Sequence, residues 1–172
     1  MYISIKVFFL YFVIILSVLS FQTSYADRIV SSQQLVEDLY GDLVVTSMKE
    51  LSTDEQEKTL KNLFEKYVDI PIIARAVLGK SWREANSDQR KRFIDAFKGY
   101  VSNKYGRQFS EFKGTTLKVV KSRDTLTKAG VLVSTEVVVP GKPPLKVVWQ
   151  ISDGSGALKL VDLRVEGISM LS

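Results

Sequence analysis

The sequence predicts an α+β domain in which about four N-terminal helices pack on one face of a twisted four-stranded antiparallel meander. Three observations carry this expectation. Apolar residues recur every three or four positions before about Gly114 and every second position after it, the periods of a helix stripe and of a half-buried strand. The later apolar segments are joined by short connections, two of them carrying Pro or Gly, as hairpin loops do. The strands present one apolar face, and the helices are the available cover for it.

The first segment reads as an address. Met1 to Ala26 holds no acidic residue and one basic one, Lys6. Val7–Leu19 is an almost unbroken apolar run of 13 residues. A transmembrane helix needs about 20, whereas this length suits the apolar centre of a signal peptide. Ser24 and Ala26 are small, so cleavage is expected after Ala26; an uncleaved anchor is the alternative. The absence of Cys excludes a lipoprotein anchor. Cleavage removes Lys6 and takes the net charge from +5 to +4, with 23 Lys and Arg against 19 Asp and Glu. Residues 27–172 then form one domain, helical over 27–114 and strand-forming over 115–167.

Ser31–Leu51 reads as a first helix, with Leu35, Leu39, Leu43 and Met48 roughly on one stripe. Ser52-Thr53-Asp54-Glu55 is a capping box that starts a second helix, running to about Tyr67. Its Leu60, Leu63, Phe64 and Tyr67 share a face. Asp69 can cap a third helix, Pro71 fits its first turn, and Gly79 ends it. Ile70, Ile73, Ala74, Val77 and Leu78 lie on its apolar side. Ser87 is expected to cap a fourth and longest helix, through which Phe93, Phe97, Tyr100, Val101, Tyr105, Phe109 and Phe112 recur at helical spacing.

Strands are expected at Thr116–Lys121, Gly130–Val139, Leu145–Ser152 and Ala157–Val165. Val131, Val133, Val137 and Val139 share one face. Leu145, Val147, Trp149 and Ile151 share another, while Lys146, Val148 and Gln150 point the opposite way.

There is no His and no Cys. That excludes a Ser-His-Asp triad, a Cys-His pair, disulfides and the usual zinc sites. No phosphate-binding glycine loop is present. Carboxylates survive this exclusion. Asp54, Glu55 and Glu57 fall in the first turn of the second helix, where acids suit the helix dipole. Asp162 and Glu166, four apart on the last strand, could share a face and do acid–base work, or they could simply partner Arg164. No enzyme activity and no cofactor are expected. Arg90-Lys91-Arg92, with Lys80, Arg83, Lys98, Lys104 and Arg107, make the centre of the chain positive. A solvated helix face explains this; contact with an anionic membrane surface or an acidic partner is the functional reading. Export argues against nucleic acid. The aromatic stripe of the fourth helix fits either a filled core or the wall of an apolar pocket, and the pattern leaves both open.

A resemblance bears on that choice. Phe64 to Arg83, with its Val77-Leu78-Gly79-x-x-Trp82 block, resembles the toluene-tolerance (MlaC) family. So do Ala85, Asn86, Ser87, Gln89, Arg90, Phe93, Ala96, Phe97 and Tyr105, and the stretch Asp162 to Ser169. The resemblance spans about Leu35 to Ser169 and holds no catalytic motif. It implies a periplasmic carrier that binds phospholipid acyl chains between sheet and helices. The implied partners are the MCE-domain protein of an inner-membrane ABC transporter of the Mla type and an outer-membrane lipoprotein complex. It also implies C-terminal helices beyond the point where this sequence stops, at Ser172. Read from their apolar faces, the candidate lining residues are Val77, Leu78, Phe93, Phe97 and Val101 on helices, and Val133, Val137, Val147 and Trp149 on strands. Gly79 and Trp82 read as helix termination and packing. The competing readings are a hopanoid-associated branch of the same family and a solid-core periplasmic adaptor that contacts protein.

Overall fold

The structure is a computed structural model that describes residues 26–171. The leader read over 1–26 lies, apart from Ala26, outside the described residues. Helix α1 occupies 26–47, beginning earlier and ending sooner than the expected Ser31–Leu51. It buries Val36, Leu39, Tyr40 and Leu43, one side of the helix at three- and four-residue spacing. Helix α2 is Thr53–Tyr67, and its Ser52–Glu55 capping box forms as the sequence requires. Helix α3 is Ile70–Leu78; Asp69 Oδ1 accepts the Ile72 amide at 3.1 Å, Pro71 lies in the first turn, and Gly79 follows at φ 56°. One short helix was not anticipated: α4, Ser81–Glu84.

The longest helix, α5, is Ser87–Gly106. Its cap is Asn86, which forms a reciprocal box with Gln89, and Ser87 is the first helical residue instead of the cap. The two amide side chains satisfy free N–H groups that a lone Ser would satisfy singly. The helix stops at Gly106, and a 3₁₀ turn, Phe109–Phe112, takes over the end of the aromatic run.

The strands are β1 Thr116–Asp124, β2 Val131–Val138, β3 Leu145–Ser152, β4 Lys159–Val165 and β5 Ile168–Ser169. They form one antiparallel sheet in the order β1-β2-β3-β4-β5. The meander therefore has five strands, β5 adding a two-residue strand to the four expected. Across β2 and β3, Val131 faces Ile151, Val133 faces Trp149, Thr135 faces Val147 and Val137 faces Leu145. This register puts the expected inward residues of the two strands on one face, except Val139, which follows β2. Gly130, at φ 80°, fits where nothing larger can: a Cβ there would meet the Ile151 carbonyl oxygen at 2.0 Å.

Helices and sheet are clasped at one end. The Asp69 amide donates to the Leu160 carbonyl at 2.9 Å, and Val68 makes a single parallel bridge to Leu160. Arg28 at the start of α1 reaches Asp124 at 3.3 Å and Asp153 at 2.9 Å. Helix α5 is held differently. Ser102 and Gly106 are its buried residues, and a Cβ on Gly106 would approach the Glu57 backbone to 3.2 Å. Small residues thus seat α5 on α2, and its aromatic stripe is not the centre of the core.

A Gly130→Ala chain is expected to lose about 3 kcal/mol or more, because positive φ and a backbone collision act together. Urea denaturation followed by circular dichroism checks this; an unchanged midpoint would refute the close β2–β3 approach.

Candidate functional site: an apolar cavity between sheet and helices

A cavity of about 1500 Å³ lies between the inner sheet face and the helices. Drug-sized ligands occupy pockets of about 300–1,000 Å³, so the space suits something larger. Each wall follows from the period of its element. Leu39 and Leu43 come from α1, Leu60 and Phe64 from α2, and Ile70, Ile73 and Val77 from α3. Helix α5 and the turn after it supply Phe97, Tyr100, Val101, Tyr105, Phe109 and Phe112. The floor is Val137 and Val139, then Leu145, Val147 and Trp149, then Leu160, Leu163 and Val165. Exposure rises along β3 from Ile151 at 0% through Trp149 at 5% and Val147 at 6% to Leu145 at 40%. The clasped end is filled, and the sheet becomes progressively uncovered away from it.

The buried polar side chains of the wall are bonded within the protein. Trp149 Nε1 donates to Thr135 Oγ1 at 2.9 Å, and that hydroxyl donates to the Val147 carbonyl at 3.2 Å. Thr115 Oγ1 gives its proton to the Phe112 carbonyl at 2.8 Å, so the Tyr40 hydroxyl, 2.5 Å away, donates to Thr115. Burial pushes the Tyr40 phenol up from its ordinary pKa, partly offset by its bond to Thr115, and it stays neutral. With these donors engaged, the wall offers hydrocarbon and aromatic faces, which hold an apolar ligand without reading polar detail.

Charged side chains also border the cavity. Lys98 is paired with Glu65 at 2.9 Å. Lys104 stands over the rings of Tyr105 and Tyr100, at 5.2 and 5.7 Å. Those two tyrosines raise its pKa, so the ammonium stays charged at neutral pH. Asp162 is held by Arg164 at 3.1 Å and by the Ser169 hydroxyl at 2.8 Å. Glu166 is not on the strand with it. It occupies the turn after β4 at φ 50° and accepts the Lys146 amide at 2.6 Å. The expected carboxylate pair is thus two separately engaged groups. Glu55 of the other acidic run is engaged in the α2 cap.

Of the nine candidate lining residues, the fold brings six to the cavity: Val77, Phe97, Val101, Val137, Val147 and Trp149. Val133 is fully buried in the solid part of the core. Leu78 and Phe93 are half-buried outside the wall, Phe93 stacking on Phe97 at 6.0 Å between centroids. Leu78 is turned about 100° from Val77 on α3, and Phe93 lies one turn before Phe97, the first residue of α5 on the wall. Sequence reasoning did not propose Leu39, Tyr40 and Leu43 of α1, or Leu160 and Leu163 of β4, as lining. The α1 residues keep helical spacing; Leu160 and Leu163 are three apart and share a face only because the β3–β4 register shifts between them, and spacing cannot say whether an inward residue meets a neighbour or a void.

The sequence profile of the family described as MlaC protein matches residues 33–172. The intermembrane phospholipid transport system binding protein MlaC of Haemophilus influenzae is 21% identical over 143 residues, 81% of this chain and 67% of that protein. A solved structure from Ralstonia solanacearum, a phospholipid-binding protein in complex with a phospholipid, superposes with a TM-score of 0.71 at 16% identity. The match covers 81% of this chain and 80% of that one. At that identity the likeness speaks to the fold.

A Val137→Phe substitution tests whether the space is open. In a filled core, overpacking costs about 1–3 kcal/mol; here stability should change by less than about 1 kcal/mol, while the capacity for an apolar fluorescent dye falls. Urea denaturation and dye titration on the same preparation give both readouts. A large stability loss with no dye site in the parent chain would mean a filled core.

Proposed function

The chain belongs to the MlaC protein family, and from that premise we propose that it is a periplasmic carrier of phospholipid. The lipid's acyl chains lie in the cavity between sheet and helices, and its headgroup stays at the charged rim. The observation that carries the reading is the cavity itself, about 1500 Å³ with a wall whose buried polar groups are already bonded. Each methylene taken out of water is worth about 0.8 kcal/mol, so such a wall supplies affinity without a polar code. A carrier needs that tolerance, because it must accept and release the same molecule.

The cargo leaves unchanged. This part of the reading is supported by the lack of His and Cys in the sequence and by the separate engagement of Asp162 and Glu166. Among the described residues no helix is long and apolar enough to cross a membrane, which suits a body that moves between membranes. We take its partners to be the MCE-domain protein of an inner-membrane Mla-type ABC transporter and an outer-membrane lipoprotein complex. The route of export is the leader read over residues 1–26.

Native mass spectrometry of the purified mature chain, followed by lipid extraction, tests the proposal. The expected result is phospholipid at about one per chain. A Val101→Asp substitution would place a charge against the acyl chains, at a cost that should lower retained lipid by about tenfold or more. The fold should survive, because Val101 is only half-buried on α5. A polycyclic lipid in place of phospholipid would move the protein to the hopanoid-associated branch. A folded chain that neither carries nor takes up lipid would refute the carrier reading.

A further inference from the structure

Positive charge in the described chain gathers in two segments, and the first of them forms a compact corner. Residues 26–171 hold 23 basic and 19 acidic side chains. Residues 75–92 alone hold six basic ones, Arg75, Lys80, Arg83, Arg90, Lys91 and Arg92, against Glu84 and Asp88. This segment is +4; residues 98–128 hold eight basic side chains against Glu111 and Asp124, and residues 27–70 are acidic, with five basic against ten. In the fold residues 75–92 are one corner: the end of α3, helix α4 and the start of α5. The corner is tied together by Arg90, whose Nε donates to the Trp82 carbonyl at 2.9 Å and whose guanidinium lies 5.3 Å from the Trp82 ring centre.

Most of this charge is unspent. Lys91 pairs with Asp95 at 2.9 Å. Arg75, Lys80, Arg83 and Arg92 are exposed and have no ion pair among the described residues. A second basic run continues onto β1 as Lys118, Lys121 and Arg123, and the corner is distinguished from it by the cavity-wall residues nearby. Apolar groups accompany the corner. Val77 is 44% exposed and Tyr100 61%, and both also belong to the cavity wall. Trp82 is half-buried beneath Arg90.

We infer that the α3–α4–α5 corner docks this protein onto an anionic phospholipid bilayer surface. Basic side chains are drawn to anionic headgroups, and each is worth roughly fivefold in partitioning. Aromatic and aliphatic groups among them suit the boundary between headgroups and acyl chains. An acidic protein would satisfy the charge but would give no reason for Val77 and Tyr100 to run from the charged corner into the cavity wall. A bilayer does, because docking there sets one wall of the cavity against the source of its contents. That link to cargo rests on the carrier reading; the adsorption itself does not.

Sedimentation of the mature chain with vesicles tests the inference, using phosphatidylcholine alone and phosphatidylcholine mixed equally with phosphatidylglycerol. Binding should require phosphatidylglycerol and weaken as salt rises. The triple variant Lys80→Gln, Arg83→Gln, Arg92→Gln should lose about a hundredfold in partitioning. A control of the same charge change on exposed positions of β1 and the loop after it, Lys118→Gln, Lys121→Gln, Lys128→Gln, should lose less than about fivefold. All six positions are exposed, and circular dichroism confirms that both variants fold. Equal losses in the two triples, equal binding to both vesicle types, or no binding to anionic vesicles would each overturn the docking surface, the last leaving an acidic protein as its occupant. Lipid content measured on the same preparations separates the two proposals. A lipid-loaded chain that ignores anionic vesicles refutes the docking surface alone. A lipid-free chain that binds them through the corner refutes the carrier alone.

Discussion

The structure depends on a sheet face that must be covered and is covered unevenly. Val131, Val133, Trp149 and Ile151 are almost wholly buried, and this is the end where helices and sheet are locked. The locks are the Val68 and Asp69 contacts with Leu160, and Arg28 spanning Asp124 and Asp153. The burial at this end supplies the hydrophobic stabilisation that a chain without disulfides needs. At the other end Val137, Val147 and Leu145 border the cavity. The helices can stand off there because the clasped end already fixes their position.

Helix α5 shows how the separation is kept. Had its Phe and Tyr residues packed on the sheet, the cavity would have closed. It is seated sideways on α2 through Ser102 and Gly106, with Lys98 paired to Glu65 on the outside. Close helix–helix approach through small residues directs the large ones into the gap. The polar atoms that such a wall would leave stranded are bonded in pairs, Trp149 with Thr135 and Tyr40 with Thr115. An unmet donor there would cost about 1–3 kcal/mol and favour water in place of hydrocarbon.

Much of the fold was legible because it rests on local rules. The capping box at Ser52, Asp69 with Pro71, Gly79 and the strict alternation of β2 and β3 each announce an element that formed where it was read. The misses share a cause. Whether Asn86 or Ser87 caps α5 depends on which side chain finds a reciprocal partner, and Gln89 decides it. The break at Gly106 and the small strand β5 are set by packing and by a turn. Glu166 was placed on β4 because its spacing from Asp162 is right, but the turn at Glu166-Gly167 takes it off the strand. For the cavity, periodicity identified inward-facing residues and could not distinguish a neighbour from a void. Val133 and Val147 occupy equivalent alternating positions, yet one is in solid core and the other on the cavity wall. The difference lies in how far the helices reach along the sheet.

The same segregation applies to charge and to apolar surface. A cavity of this kind works only if its lining stays out of self-association, since exposed apolar area draws copies together. Here most of the lining is recessed between layers, with Val77, Tyr100 and Leu145 reaching the surface, and the rim carries Lys98, Lys104, Lys142, Glu111 and Glu166, a mixture of signs. A net charge of +4 stands on the corner formed by α3, α4 and α5, beside the cavity and not around it. Apolar contact at the wall is indifferent to orientation, whereas a single-signed patch is directional and acts at a distance of about a Debye length, roughly 8 Å at physiological salt. Holding the two on adjoining surfaces lets one part of the molecule decide what is bound and another decide how the molecule approaches a charged surface.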